Sequence, residues 1–392
     1  MTADAPIPGR HGHTATFIPG ANQVLIFGGA VWVDGEERLL ASAELWDPSK
    51  GTFEPLEEPL PRAYHQATAL PDGRVLITGG FGVVQGTLLT LQSALIFDPM
   101  TKDFTTLVLN QSRAHHTSTL LENGGLVAII GGCTSSGPGD GCTTTAAGAG
   151  NHGPSTDFER TVEIFDFSVP PGSASFTVAS SGLVVPRAFH QTTAIQSAAN
   201  DLLVVTGGNN SIGTICDVEV FRVESGALRR VDEANLAGFP EGRCPTRHAA
   251  VAIDGERLAA IGGQTQAPTG EPLGTGTADG FILSITIGFE QAPSLQLHQG
   301  LGRAGHLATL LADGSILVVG GSVARGAPAA EALSAAAGTG SLTSRPLARP
   351  LAVAREHAAM AVLPTNQVLL TGGHTTEAPF TTVDSTEVYF GP

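Results

Sequence analysis

At 392 residues, with 42% apolar residues and a formal net charge of −16, the chain could hold two or three ordinary domains or one large all-β repeat fold. So acidic a surface repels phosphate backbones and anionic lipid, and only Lys50 and Lys102 supply ammonium groups, so nucleic-acid and membrane-surface partners are set aside. No apolar run reaches the roughly 18 residues of a bilayer-spanning helix.

Along the chain one unit recurs seven times, most fully at residues 61–80, PRAYHQATALPDGRVLITGG. Aligned on its glycine pair, the copies run over 13–29, 65–80, 116–132, 190–208, 248–263, 306–321 and 357–373. Each opens on a histidine and a strand of small residues, such as Gln66-Ala67-Thr68-Ala69. A polar turn follows, as in Pro71-Asp72-Gly73 or Ala312-Asp313-Gly314, and signals a hairpin. The next strand is apolar on both faces, as in Val75-Leu76-Ile77, which suits full burial. Beyond the glycines a third strand reads Glu-apolar-aromatic in several copies, including Glu44-Leu45-Trp46 and Glu163-Ile164-Phe165. A fourth lies around Phe53, Phe104, Phe176, Leu228, Leu295 and Leu342. Four antiparallel strands per copy, with no helical period, predict an all-β fold: a single seven-bladed β-propeller of four-stranded blades over 1–392. The blades fall near 10–58, 61–109, 112–180, 186–231, 245–299, 302–346 and 353–390. Residues 1–8 are expected to add the outer strand of blade 7 and close the ring, which removes an exposed edge.

The glycine pairs, the Arg-x-x-His lead-ins at Arg10, Arg62, Arg113, Arg187 and Arg303, and the Glu-apolar-aromatic third strand resemble the kelch-repeat family. That family shares its propeller with the central domain of galactose oxidase. The resemblance implies a propeller and opens a copper reading, because the oxidase holds its metal partly through a Tyr-His pair in this element. Arg62-Ala63-Tyr64-His65 matches that element. A radical cofactor needs a second such tyrosine, and the only other one is Tyr389, in a third strand. The sequence therefore argues against radical oxidase chemistry. No domain of the kind that makes kelch proteins ubiquitin adaptors accompanies the repeats.

If the strands alternate in direction, the loops after the glycine pair and those between blades share one face. The long segments 31–40, 81–91, 133–160, 229–245 and 264–280 all fall there, and variable loops on a rigid scaffold are where propellers bind. Arg62, Tyr64, Arg113, His115, Arg187, Arg303 and His374 are the candidate ligand-binding residues on that face. All twelve histidines map to it. Seven of them, His13, His65, His116, His190, His248, His306 and His357, form a candidate Cu or Zn set. The structural alternative has each one hydrogen-bonding backbone between blades. The repeat arginine is expected to pair with a glutamate of a neighbouring blade or with loop carbonyls. Asp140, Asp157 and Glu159 offer oxygens for a loop Ca²⁺. No P-loop, HExxH or GxSxG motif is present.

The four cysteines, Cys133, Cys142, Cys216 and Cys244, fall as two local pairs without a CxxC. That spacing favours two disulfides over zinc and points to an oxidising compartment. The first residues show no signal-peptide pattern, which fits a cytosolic protein or a mature exported one, and the cysteines favour the secreted, periplasmic or cell-surface alternative. The sequence thus reads as a monomeric, non-enzymatic binding or scaffold propeller. Its loop-rich face would take a protein, small-molecule or carbohydrate ligand. The alternative is a metal-binding protein, or a metal-dependent or sugar-active enzyme.

Overall fold

The structure is a computed structural model and describes residues 9–57, 60–121, 125–134, 142, 157–169, 175–196, 201–224, 227–231, 238–265, 279–284, 288–297, 302–323, 330–335, 342–347, 351–375 and 381–390. No helix occurs among them, and the sheets are the blades of a seven-bladed β-propeller. Blade 1 pairs Thr14–Ile18, Gln23–Phe27, Ala43–Asp47 and Thr52–Pro55 in that order, every neighbour antiparallel. Blades 2, 3 and 4 repeat the meander from Gln66–Ala69, Thr117–Leu121 and Gln191–Gln196 outward. Blades 5 and 6 start at Ala249–Ala252 and Leu307–Leu310, and their outer strands meet at one parallel bridge, Gln296↔Thr343. Blade 7 shows Ala359–Val362, Gln367–Thr371 and Thr386–Phe390. The outer strand expected from residues 1–8 lies outside the described residues. At the boundary, a Cβ on Gly9 would stand 2.9 Å from Asp384 Cα, a collision that glycine avoids.

The second strand of each blade is the most apolar and the most buried. Val24, Leu25, Ile26 and Phe27, like Val75, Leu76 and Ile77, have no exposed surface. One face of such a strand packs on the preceding blade and the other on the following one. Leu25, Phe27, Val75, Ile77 and Phe97 form one such interblade core, and Leu76, Ile96, Val127, Ile129 and Phe165 form the next. This double burial explains why the strands read as continuous apolar runs.

The chain divides into two compact units. One comprises Met1–Thr143, Thr156–Val178 and Arg355–Pro392, and so holds blades 1, 2, 3 and 7. The other comprises Thr144–Ser155 and Ala179–Ala354 and holds blades 4, 5 and 6.

Two segments read from sequence as loops are hairpins. Ala30–Val33 pairs with Glu36–Leu39, and Phe81–Val84 with Thr87–Thr90. Their turns, Asp34-Gly35 and Gln85-Gly86, take positive φ at both residues (54° and 82°, 51° and 80°). That geometry matches the twist of a two-residue hairpin.

Candidate functional site

Six of the seven blades begin with a buried arginine clamp. The Arg10, Arg62, Arg113, Arg187, Arg303 and Arg355 side chains are fully buried. Each donates from Nη1 to the carbonyl of the first glycine of its own blade's pair, for example Arg62 to Gly79 at 2.9 Å and Arg113 to Gly131 at 2.8 Å. In five blades Nη2 also meets a third-strand carboxylate: Arg10 with Glu44, Arg113 with Glu163 at 2.6 Å, Arg187 with Glu219 at 2.8 Å, Arg303 with Glu331 at 2.6 Å and Arg355 with Glu387 at 2.5 Å. The glutamate belongs to the arginine's own blade, not to a neighbour as the sequence suggested. The antiparallel register sets it opposite the residue two before the glycine pair, as in Ile129↔Glu163. Blade 2 differs: Leu95 holds that position, opposite Ile77. Arg62 donates to the Ser93 carbonyl and hydroxyl instead, at 3.2 and 3.0 Å. Burial pushes its pKa down to about 10, so it still carries its charge at neutral pH.

In blades 2, 3 and 5 the histidine that opens the repeat ties its blade to the one before. His65 meets the Thr14 hydroxyl through Nε2 at 2.9 Å, His116 meets Thr78 at 2.8 Å and His248 meets Thr206 at 2.8 Å. The partner is a side-chain hydroxyl, where the sequence suggested backbone. The first glycine of the pair makes room for this ring. A Cβ on Gly28 would stand 2.4 Å from the Arg62 carbonyl and 3.0 Å from His65 Cε1. Burial holds His13, His65 and His306 well below the usual imidazole pKa, and lowers His248 to about 3. These buried rings stay neutral; His65 and His248, like His116, staple their blades, whereas neither ring nitrogen of His13 or His306 has a hydrogen-bond partner among the described residues.

The residue before that histidine is left-handed in every blade: Gly12, Tyr64, His115, Phe189, Arg247, Gly305 and His357 have φ between 50° and 64°. Blade 7 is therefore one residue out of the sequence alignment. His357 corresponds to Tyr64, and Ala358 takes the staple position, packing on Gly373. Left-handed backbone costs a non-glycine residue about 1 kcal/mol or more. In the first unit it is held by backbone bonds from Gly12 N to His357 O (3.0 Å), Tyr64 N to Gly12 O (2.7 Å) and His115 N to Tyr64 O (3.3 Å).

These turns gather rings at the loop end of blades 1, 2, 3 and 7. Tyr64 lies 4.8 Å from His115, 5.6 Å from His357, 6.1 Å from Phe81 and 6.3 Å from His11, centroid to centroid. His374 stands 5.1 Å from His11 and 5.2 Å from His357, and Trp32 stacks on His11 at 5.9 Å. Glu37, from the blade-1 hairpin, joins the cluster. Its Oε1 accepts from the Tyr64 hydroxyl at 2.7 Å and meets His11 Nε2 at 2.8 Å. His374 Nδ1 lies 2.9 Å from the Thr375 carbonyl, and burial depresses its pKa despite that bond. Beside Glu37 and Tyr64 opens a cavity of about 350 Å³, lined also by Arg38, Leu39, Phe81, Val83, Gly86 and Leu88. The two hairpins are its walls.

Of the residues expected on a binding face, Tyr64, His115 and His374 thus come together, and His357 of the candidate metal set joins them. Arg62, Arg113, Arg187 and Arg303 are inside the blades. His13, His65, His116, His190, His248 and His306 are each at least 94% buried, one on each of blades 1 to 6. Among the described residues, no three His, Cys, Asp or Glu side chains are grouped as a metal site requires. Glu159 caps its own turn, with Oε1 accepting from Arg160 N and Thr161 N at 2.8 Å each, and the Asp157 carbonyl accepts from Thr134 N. Asp140, His152 and His298 lie outside the described residues. Both disulfides form, Cys133–Cys142 and Cys216–Cys244. Glu37, Trp32 and Phe81 were not singled out in the sequence. The signal for Glu37 was the Asp34-Gly35 turn, which makes its segment a strand reaching back over Tyr64.

No family model matches the chain. A solved structure titled "Structure of YjhT" aligns with 87% of this chain and 99% of its own, with a TM-score of 0.60 and 14% identity. At that identity the likeness is one of fold.

Proposed function

We propose that the protein is an exported, non-enzymatic binding propeller that takes a small ligand in the cavity between the blade-1 and blade-2 hairpins. The observation that carries this reading is the Glu37 carboxylate. One oxygen is fixed by Tyr64 and His11, while the other has no hydrogen-bond partner among the described residues and Glu37 lines the cavity. Oriented carboxylates beside apolar and aromatic walls are typical of small-molecule sites. Two disulfides support an oxidising compartment.

The two tryptophans make a direct test possible. Trp32 stacks on His11 beside the site, whereas Trp46 is 3% exposed inside blade 1. With fluorotryptophan-labelled protein, a small-molecule library is expected to yield compounds that shift the Trp32 resonance, leave Trp46 in place and lose effect in Tyr64→Ala. A library in which every active compound moves Trp46 equally, or none moves Trp32, overturns the reading.

A further inference from the structure

The chemistry lining the cavity narrows the ligand further, on the assumption that this cavity is the binding site. Glu37, Arg38 and Leu39 come from one hairpin, Phe81, Val83, Gly86 and Leu88 from the other, and Tyr64 completes the lining. Phe81 is 2% exposed and Val83 is 47% exposed, so the apolar lining runs from the buried end to the rim. A polyol entering here would set several hydroxyls against Leu39, Val83, Leu88 and Phe81, none of which can bond them, and each unpaired polar group carries a desolvation penalty. A carboxylate ligand would gain from Arg38 at the exposed side but would meet Glu37 and a chain of net charge −16. What the lining complements is a single positive charge on an apolar body.

We propose that the cavity binds an organic monoammonium ion, with its nitrogen on the unpartnered Glu37 oxygen beside the Tyr64 ring and its hydrocarbon part between Leu39, Val83 and Leu88. Three features act together. The Tyr64 and His11 bonds to Oε1 hold the carboxylate in place, so little is lost in ordering it on binding. The aromatic ring adds attraction for a cation close to it. The acidic chain raises the local concentration of cations. Arg38 opposes this. It is exposed, also lines the cavity and forms no ion pair among the described residues, so it repels a cation and weakens binding.

The test is calorimetric titration of the full chain with phenethylammonium, its neutral isostere 2-phenylethanol, the anion 3-phenylpropanoate and methyl β-glucoside. The expected result is saturable binding of phenethylammonium, at least tenfold tighter than the isostere or the anion. That binding should fall about tenfold in Glu37→Gln and strengthen severalfold in Arg38→Ala, an exposed change that leaves the fold intact. Equal affinity for phenethylammonium and 2-phenylethanol, or weaker binding in Arg38→Ala, overturns the proposal. Glucoside binding that depends on Glu37, without ammonium binding, overturns the ligand class and leaves the small-ligand reading standing. Binding of none of the four, with Trp32 silent to the library as well, overturns both.

Discussion

Blades 2 and 5 have both lost the third-strand glutamate of the repeat, and they have met the loss in opposite ways. In blade 5 the arginine is gone too. Pro245 stands in its place, and Phe281 occupies the glutamate position opposite Ala260. Phe281 packs against Phe239 at 5.4 Å, and Phe239 reaches His248 at 6.2 Å. An ion pair has been exchanged for apolar packing, which is often neutral or stabilising. The backbone link to the blade before survives, with Gly208 N donating to the Pro245 carbonyl at 2.9 Å. Blade 2 keeps Arg62 buried with only neutral acceptors, Gly79 O, Ser93 O and Ser93 Oγ. Desolvating a guanidinium without a counter-ion is the costlier arrangement. It occurs in the blade that supplies Tyr64 and half of the cavity wall. The cheaper solution was taken in a blade that gives nothing to that site.

The largest effect expected from this comparison is on a complete clamp. Arg113→Met strands the fully buried Glu163, which would keep only neutral donors, Asn110 N, Asn110 Nδ2 and Gln111 N at 2.7, 2.9 and 3.0 Å. The expected loss is about 3–5 kcal/mol in urea unfolding. Pairing the change with Glu163→Leu, which imitates blade 5, should restore most of it. Arg62→Met leaves no carboxylate behind and should cost only about 1–2 kcal/mol, the worth of its hydrogen bonds. Equal losses for Arg62→Met and Arg113→Met would break the contrast between the two kinds of clamp.

The same clamps show how much could be read before the structure. The strand pattern, the seven copies and the glycine pairs were legible because burial on both faces and blade-to-blade contact each demand one residue type. Blade 7 misled because Arg355-Glu356-His357-Ala358 puts its histidine one place early. Only the left-handed φ of His357, matching that of Tyr64, restores the register. The arginine's partner was misplaced because pairing within a blade depends on strand register, which composition does not encode. Glu37 was hidden for a similar reason. In Glu36-Glu37-Arg38 the residue that turns toward Tyr64 is set by the hairpin's pleat, and a shift of one residue would reverse it. Asp34-Gly35 announced the hairpin, whereas its docking over Tyr64 depends on contacts between blades far apart in sequence.

Blade 5 invites a second test, because the Cys216–Cys244 bond sits immediately before Pro245. Where the clamp is missing, the disulfide fastens the lead-in to the preceding blade. Its sequence separation of 28 residues implies about 3.5 kcal/mol by loop-closure entropy. Cys216→Ser/Cys244→Ser should lose about that much and speed hydrogen exchange at Thr246 N, which bonds the Gln264 carbonyl at 2.9 Å. The Cys133–Cys142 bond closes a separation of 9 residues in a blade with its clamp intact, and Cys133→Ser/Cys142→Ser should cost about 2.5 kcal/mol. Unchanged exchange at Thr246 would mean that the lead-in of blade 5 is held by packing alone.

The smallest effect is the most diagnostic of the staples. His248 is depressed to about 3 by burial alone, while His65 is lowered by burial and then by the charge of Arg62. The folded state keeps these rings neutral and the unfolded chain protonates them near pH 6.5. Their contribution is therefore complete above pH 6.5 and is lost as pH falls toward the folded value. For one histidine the fall between pH 7 and 5 is about 2 kcal/mol. His248→Gln should flatten the acid limb of the stability curve by that amount. Arg62→Met should move the His65 titration upward in an NMR pH series and leave His248 where it is, because blade 5 has no arginine to remove. A shift of both histidines together would mean that Arg62 acts by loosening the blades, not by its charge on one ring.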